Sequence, residues 1–358
     1  MPSTCSASNS RRVTVKPPST RPLAAINATP VCVLGAGSWG TALAIQLARG
    51  GRPAILWGHD PAHMAELRAT RVNARYLPGV PLPDSLRLSD DLAAAVRDVR
   101  DILVVVPSHA FRAVLSAMRP HLRDDVRLMW ATKGLEAGSG KLLHQVAEEV
   151  LGAARTMAVV SGPTFAREVA EGLPTALTVA SADADYAHFV AERLRSDTFR
   201  AYMSSDVPGV EVGGAVKNVL AIAAGISDGL GFGANARSAL ITRGLAEIMR
   251  LGEALGGQHE TFMGLAGLGD LVLTCTDDQS RNRRLGLALG EGATLEDALA
   301  GIDQVVEGVQ TAREVHDLAT SLGVEMPITE QVHAVLYQSR APKQAVHALL
   351  TREQKAET

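Results

Sequence analysis

The stretch VCVLGAGSWGTALAIQLARGG, residues 31–51, decides how this chain is read. Val31 to Leu34 suit a short buried strand, GAGSWG a turn, and the Ala- and Leu-rich remainder a helix. Gly35, Gly37 and Gly40 stand in the GxGxxG spacing. That spacing also occurs in ordinary turns, but here it follows a strand and opens a helix, which makes it informative. The first glycine permits the tight turn, and the second lets backbone approach a pyrophosphate. The third lets helix and strand pack closely, with the helix amino end facing the anion. The stretch therefore predicts a dinucleotide site. The other glycine-rich run, GLGFG at 229–233, follows a helix and reads as a helix C-cap and loop.

Working outward, PAILWG (53–58), DILVVVP (101–107), RLMWAT (127–132) and MAVVSGP (157–163) are further apolar runs ended by small or turn residues. Helical stretches such as HAFRAVLSAMRPHL lie between most of them. The alternation predicts an α/β fold, a Rossmann-like doubly wound parallel sheet covered on both faces. PTALTVAS (174–181) and FRAYMSS (199–205) add edge strands. After about Val207 the pattern turns helical, with VPGVEVGGAVKNVLAIAAGISDGL and ARSALITRGLAEIMRLGEAL as long helices and TLEDALAGI and QTAREVHDLATSLG as shorter ones. The expected organisation is a flexible N-terminal extension at 1–29, a dinucleotide-binding domain at 30–205, a helical substrate-binding and catalytic domain at 206–345, and a C-terminal tail at 346–358.

Composition narrows the classes of function. The chain has 358 residues, 46% of them hydrophobic, enough for two cores. A net charge of −3 gives no reason to expect nucleic acid or an anionic membrane as partner. Three scattered cysteines with no zinc spacing fit a reducing, cytoplasmic setting and no metal. The longest apolar stretch, Val212 to Ser227, is short for a membrane span and is interrupted by Lys217 and Asn218. The first segment carries four basic residues, no acids and many Ser, Thr and Pro, and reads as a flexible extension rather than a transit peptide.

Two costly residues suggest the chemistry. Lys217 is the only cation between Glu211 and Asp228, among Gly, Ala, Val, Leu and Ile. It reads either as a snorkelling lysine or as a desolvated one able to pass a proton near neutrality. The glycines of GVEVGGAVKN favour the second reading, since they leave the lysine unshielded and a small ligand close. Asp270, in GLGDLVLTCTDDQSRNRR (267–284), is a lone carboxylate in apolar company and needs a partner. Pairing it with Lys217 explains both. A lysine acid beside a nicotinamide suggests hydride transfer to a ketone. Arg281 and Asn282 would then clamp an anionic handle such as a phosphate, while Arg283 and Arg284 are read as surface residues. The second strand ends LWGHD, where Gly58 and His59 leave room for a 2′-phosphate and Asp60 can still serve NAD. Use of NADP(H) and NAD(H) both is expected.

Taken together, these residues resemble the bacterial NAD(P)-dependent glycerol-3-phosphate dehydrogenases. The matching stretches are GAGSWGTALA, VVVPSHAF, TKGLE, SGPTFAREVA, GVEVGGAVKNVLAIAAGISDGLGFG, NARSALITRGLAEI, TFMGLAGLGDLVLTCTDDQSRNRRLG and VVEGV, in order from about Val31 past Glu307. The resemblance implies reversible reduction of dihydroxyacetone phosphate to sn-glycerol 3-phosphate, supplying glycerophospholipid synthesis. It implies Lys217 as proton donor and acceptor, with Asp270 beside it. Ser280, Arg281, Asn282, Gly162 and Thr164 would contact substrate, and Lys133 would lie between substrate and cofactor. Ser38, Trp39, His59, Ala166, Val305 and Glu307 would line the dinucleotide, and Arg281 would touch it too. Small residues on the helix after Asn235 permit a homodimer. The rivals are a 3-hydroxyacid dehydrogenase of the same build, a non-catalytic NADP(H) sensor, and a dehydrogenase based on His109, which has no acid placed to orient it.

Overall fold

A computed structural model describes residues 30–353. The expected extension at 1–29 and the last residues of the expected tail, 354–358, lie outside them. The first part runs β1 (Val31–Leu34), α1 (Ser38–Ala48), β2 (Ala54–Trp57), α2 (Pro61–Thr70), β3 (Leu86–Ser89), α3 (Leu92–Val96), β4 (Asp101–Val104), α4 (Ser108–Met118), β5 (Arg127–Trp130), α5 (Leu143–Leu151), β6 (Met157–Ser161), α6 (Ala166–Glu171), β7 (Thr175–Ala180), α7 (Ala184–Leu194) and β8 (Phe199–Ser204). The strands form one sheet in the order β3-β2-β1-β4-β5-β6-β7-β8. Strands β1, β2 and β4 are buried at every residue, as continuous apolar runs between two helical layers must be. One layer packs Leu43, Leu47, Met64, Leu67 and Val190 on the sheet, and the other Phe111, Leu115 and Val146.

Two features depart from the sequence reading. β3 was not expected. It is one of the two edge strands, and of LRLS only Leu86 is buried, so the apolar signal is faint. The sheet is also not wholly parallel, because β7 runs antiparallel to β6 while β8 is parallel to β7. The chain reverses sheet direction beside β1, whose neighbours are β2 and β4. At such a switch point the carboxyl ends of the strands open a crevice for a ligand.

The second part is helical: α8 (Val207–Gly229), α9 (Ala234–Ala254), α10 (His259–Phe262), a π-helical turn at Leu265–Gly269, α11 (Asp270–Thr276), α12 (Arg281–Glu291), α13 (Leu295–Ala300), α14 (Glu307–Leu322), α15 (Pro327–Tyr337) and α16 (Pro342–Leu350). Helix α16 crosses the boundary drawn at 345, so residues 346–350 of the expected tail are helical. Helix α8 is the axis of this part. Asp206 caps it by accepting from the Gly209 amide at 2.9 Å, and it also takes the Gln258 amide at 2.8 Å. Every residue from Gly209 to Ser227 is buried. By length and composition α8 could cross a membrane, yet its most apolar window lies entirely inside the protein, packed by α9, α12, α14 and α15. Helices α8 and α12 touch backbone to backbone. A Cβ at Gly225 would lie 2.1 Å from the Arg283 carbonyl oxygen, and one at Gly286 would lie 2.1 Å from that of Ile222.

Candidate active site

A cleft of about 1110 Å³ runs from the carboxyl ends of β1, β2 and β4 to α8, α11 and α12. At its first end the three glycines divide their labour. Gly35 has φ +122°, and a Cβ there would meet the Val105 carbonyl oxygen at 2.5 Å. A Cβ at Gly40 would lie 1.8 Å from the Gly35 oxygen. At Gly37 a Cβ would meet nothing within 4 Å. Two glycines therefore close the turn, and the third keeps the cleft open where a pyrophosphate must approach the backbone. Gly37 also stands at the N-cap of α1 with no side-chain cap, so the first-turn amides are left for an anion. Trp39 borders the cleft, and its Nε1 is buried without a hydrogen-bond partner among the described residues. Ser38 Oγ donates to Gln304 Oε1 at 3.4 Å and links the turn to the segment before α14. These residues fit a dinucleotide.

The end of β2 differs in part from expectation. His59 is exposed and borders the cleft. The space at Gly58 is not free for a phosphate, because a Cβ there would meet Met64 Sδ at 2.5 Å. Close packing on α2 explains this glycine. Asp60 is the N-cap of α2, accepting from the amides of Ala62 at 3.0 Å and His63 at 3.3 Å.

At the far end, Asp270 opens α11 directly after the π-helical turn. A Cβ at Gly213 would lie 2.5 Å from the Ala266 oxygen, so that turn lies against α8 one helical turn before Lys217. Lys217 Nζ donates to Asp270 Oδ1 at 2.5 Å and to Thr274 Oγ1 at 2.7 Å. Lys133 Nζ donates to Asp270 Oδ2 at 2.6 Å and to the Gly162 oxygen at 3.3 Å. Asp270, 1% exposed, thus sits between two ammonium groups. The pairing inferred for Lys217 is present, and Lys133 is a second partner that the spacing did not suggest. The glycines of α8 do not bare Lys217 to a ligand as expected. They admit neighbours, Ala266 against Gly213 and Ser161 with Lys133 against Gly214. Lys217 and Asn218 still border the cleft. Burial pushes the Lys217 ammonium down to about 8; Asp270 opposes the shift and Lys133 reinforces it.

Between the two ends, Ser280 caps α12 by accepting from the Arg283 amide at 3.2 Å. Arg281, first residue of that helix, donates to the Val305 oxygen at 2.7 Å. Asn282 is held at both ends of its amide, donating to Asn218 Oδ1 at 3.0 Å and accepting from the Gly308 amide at 2.9 Å. Arg283 is not a surface residue. It is buried and pairs with Asp228 at 2.5 Å and Asp278 at 2.9 Å, whereas Arg284 is exposed at the cleft wall. Glu307 opens α14. Burial raises its carboxyl above the ordinary range, against the pull of Arg281, Lys133, Lys217 and His109. Val305 is exposed, and Thr164 and Ala166 line the cleft beside Lys133. Gly162, with φ +157°, does not line it, but its carbonyl holds both Lys133 and the Thr164 hydroxyl. His109 borders the cleft in the first turn of α4.

Sequence reasoning missed Asn218 and Thr274. Both had a signal: Asn218 follows the lysine, and Thr274 stands four residues after Asp270, on the same helix face. Among the described residues one group has metal-ligand composition, His316, Asp317 and His333 on α14 and α15. Its imidazoles stack at 3.9 Å with planes 7° apart, so their in-plane lone pairs run parallel instead of converging on an ion.

A doubly wound sheet with a glycine turn at its switch point, and a cleft ending on a buried lysine of lowered pKa, defines a nicotinamide-dependent dehydrogenase. Residues 30–187 match the N-terminal region, and residues 206–347 the C-terminal region, of the family described as NAD-dependent glycerol-3-phosphate dehydrogenase. The chain belongs to that family. It is 60% identical over 328 residues to glycerol-3-phosphate dehydrogenase [NAD(P)+] of Aeromonas salmonicida, covering 91% of this chain and 98% of the relative. It is 59% identical over 326 residues to that of Vibrio vulnificus, covering 91% and 94%. The crystal structure of glycerol-3-phosphate dehydrogenase from Coxiella burnetii superposes with a TM-score of 0.89 at 51% identity, covering 91% of this chain and 99% of that one.

Proposed function

We propose that the cleft catalyses the reversible NAD(P)H-dependent reduction of dihydroxyacetone phosphate to sn-glycerol 3-phosphate, with Lys217 as the acid. The observation that carries this reading is the buried Lys217–Asp270–Lys133 cluster at the closed end of a dinucleotide cleft. A reduced nicotinamide supplies the hydride when bound. The protein's part is to hold the ketone oxygen at the Lys217 ammonium, which protonates the alkoxide as charge develops there. Asp270 and Thr274 fix the ammonium's direction. Lys133 adds positive charge on the same carboxylate, leaving the cluster net cationic toward an anionic substrate. Arg281 and the cap residue Ser280 face the phosphate, Arg281 exchanging its bond to the Val305 oxygen for the ligand. Asn282 sets their distance from α8 through Asn218. Thr164 shapes the substrate wall, held with Lys133 by the Gly162 carbonyl behind it, and Ala166, Val305 and Glu307 shape the dinucleotide wall. In the reverse direction the neutral Lys217 amine takes the proton from the alcohol.

The helical part from 206 onward carries the substrate, and the sheet from 30 to 205 carries the cofactor. The same reading has the enzyme supply glycerol phosphate for glycerophospholipid synthesis in the cytoplasm; the small residues on the helix after Asn235 would permit a homodimer, which sedimentation would test. The direct test follows loss of reduced-nicotinamide absorbance on adding dihydroxyacetone phosphate. Wild type oxidises the cofactor, and Lys217→Met binds it without turnover. A folded wild type that binds NADPH and oxidises none would overturn the assignment. Turnover of 3-hydroxyacids at equal rate, untouched by Arg281→Ala, would transfer the site to that class.

A further inference from the structure

At the carboxyl end of β2 the cleft is bordered by His59, Asp60, His63, Arg75 and Tyr76. Dinucleotide folds place the adenosine ribose at this corner, where an acid selects a free 2′-hydroxyl and an arginine accommodates a 2′-phosphate. Here the acid is committed elsewhere. Asp60 turns Oδ1 onto two amides at the start of α2, which draws its charge toward the helix. Arg75 is exposed, and among the described residues no carboxylate pairs with it; its guanidinium carbon lies 5.1 Å from the Tyr76 ring centroid.

The loop that bears Arg75 is held from beneath. Asn73 is fully buried, and its Nδ2 donates to the Ala36 oxygen at 3.0 Å and to Thr41 Oγ1 at 2.7 Å. Its Oδ1 receives the Tyr76 amide at 3.2 Å and His63 Nε2 at 3.1 Å. The His63 and Tyr76 rings meet edge to face at 5.2 Å. One amide therefore fastens the 73–76 loop to the glycine turn and to α2 together. An exposed arginine on so anchored a loop is presented to the cleft rather than left to wander over the surface.

We propose that Arg75, with His59 across the corner, is the recognition site for an adenosine 2′-phosphate, and that it makes the chain select NADP(H) over NAD(H). The inference rests on the dehydrogenase reading and deepens it. A planar guanidinium offers two parallel donors to phosphate oxygens, and the capped Asp60 offers little repulsion.

Calorimetric titration of the full chain with adenosine 2′,5′-bisphosphate and with 5′-AMP tests it, alongside NADPH and NADH. Wild type should bind each 2′-phosphorylated ligand about ten- to hundredfold more tightly than its counterpart. Arg75→Ala should remove most of that ratio while leaving 5′-AMP and NADH affinity unchanged, and Arg75→Lys should keep part of it. Equal loss for both members of each pair would overturn the proposal, since it would make Arg75 only a cover for Tyr76. So would a wild type that does not discriminate. Binding of none of the four by folded protein would instead remove the dinucleotide reading itself.

Discussion

The two ends of the cleft are built from opposite materials. The glycine-turn end is main chain and missing side chains: Gly35 and Gly40 leave no room for a methyl group, and Gly37 leaves room that the protein does not use. The lysine end is charge, three ionic groups held largely out of water where α8 and α11 meet the segment after β5. Shape decides the first and electrostatics the second, so substitutions should fail in different ways at each.

The largest effect belongs to the ionic end. Lys217→Ala should lower turnover by about 10²–10⁴-fold, with NADPH affinity kept, as measured by steady-state kinetics beside a binding titration. Loss of both together would mean that the two ends are not separable. At the glycine end the contrast lies between neighbours. Gly40→Ala should cost at least about 3 kcal/mol of stability, because backbone and not a flexible side chain fills the space. Gly37→Ala should leave the melting temperature unchanged and weaken dinucleotide binding instead. Thermal melts with and without cofactor would show whether the pair divides this way.

The arginines of α12 sharpen the comparison further. Arg283→Ala breaks a buried pair and should cost about 2–3 kcal/mol, less than a lone buried pair because Arg237 still meets Asp228 at 2.7 Å. Arg281→Ala should raise KM for the triose phosphate about tenfold or more with no loss of stability. If both variants changed only stability, the phosphate clamp would have to lie elsewhere.

A pH profile addresses the lysine without mutation. With the ammonium at about 8, kcat/KM for ketone reduction should fall as pH rises through that value, while alcohol oxidation should rise. The smallest effect lies outside the cleft. Glu247 of α9, pushed up to about 7 by burial, accepts from the Ile328 and Thr329 amides at 2.6 and 3.1 Å. The folded state then holds more protons than the unfolded one between 4.5 and about 7, so stability from this group falls as pH rises through that window. Melting temperatures of Glu247→Gln should vary less with pH across it.

What the sequence made legible follows the same division. Buried strands such as VCVL and DILV announce themselves because both faces are covered, and the glycine turn because its neighbours in sequence are its neighbours in space. The edge strand LRLS has too little burial to be seen, and the reversal of β7 depends on pairing that no local pattern encodes. Arg283 reads as a surface residue because its buried partner Asp228 lies 55 residues away, the nearer Asp278 being exposed, and Lys133 reaches Asp270 across 137. Local geometry is written locally. Electrostatic partnership is not, except where a charge is so costly, as at Asp270, that a partner must exist.

The glycine contact between α8 and α12 makes the site a gauge of length. Lys217 rides on one helix and Arg281 on the other, and the helices already touch through their backbones, so neither can yield toward the other. If Arg281 holds the phosphate as proposed, a phosphorylated carbonyl compound with fewer atoms between carbonyl and phosphate cannot draw the two helices together to bridge that span. A lower limit on chain length is then set by main-chain contact remote from the substrate, and exchanging the side chains that face the ligand would change how tightly it is held but not how near the two helices can come.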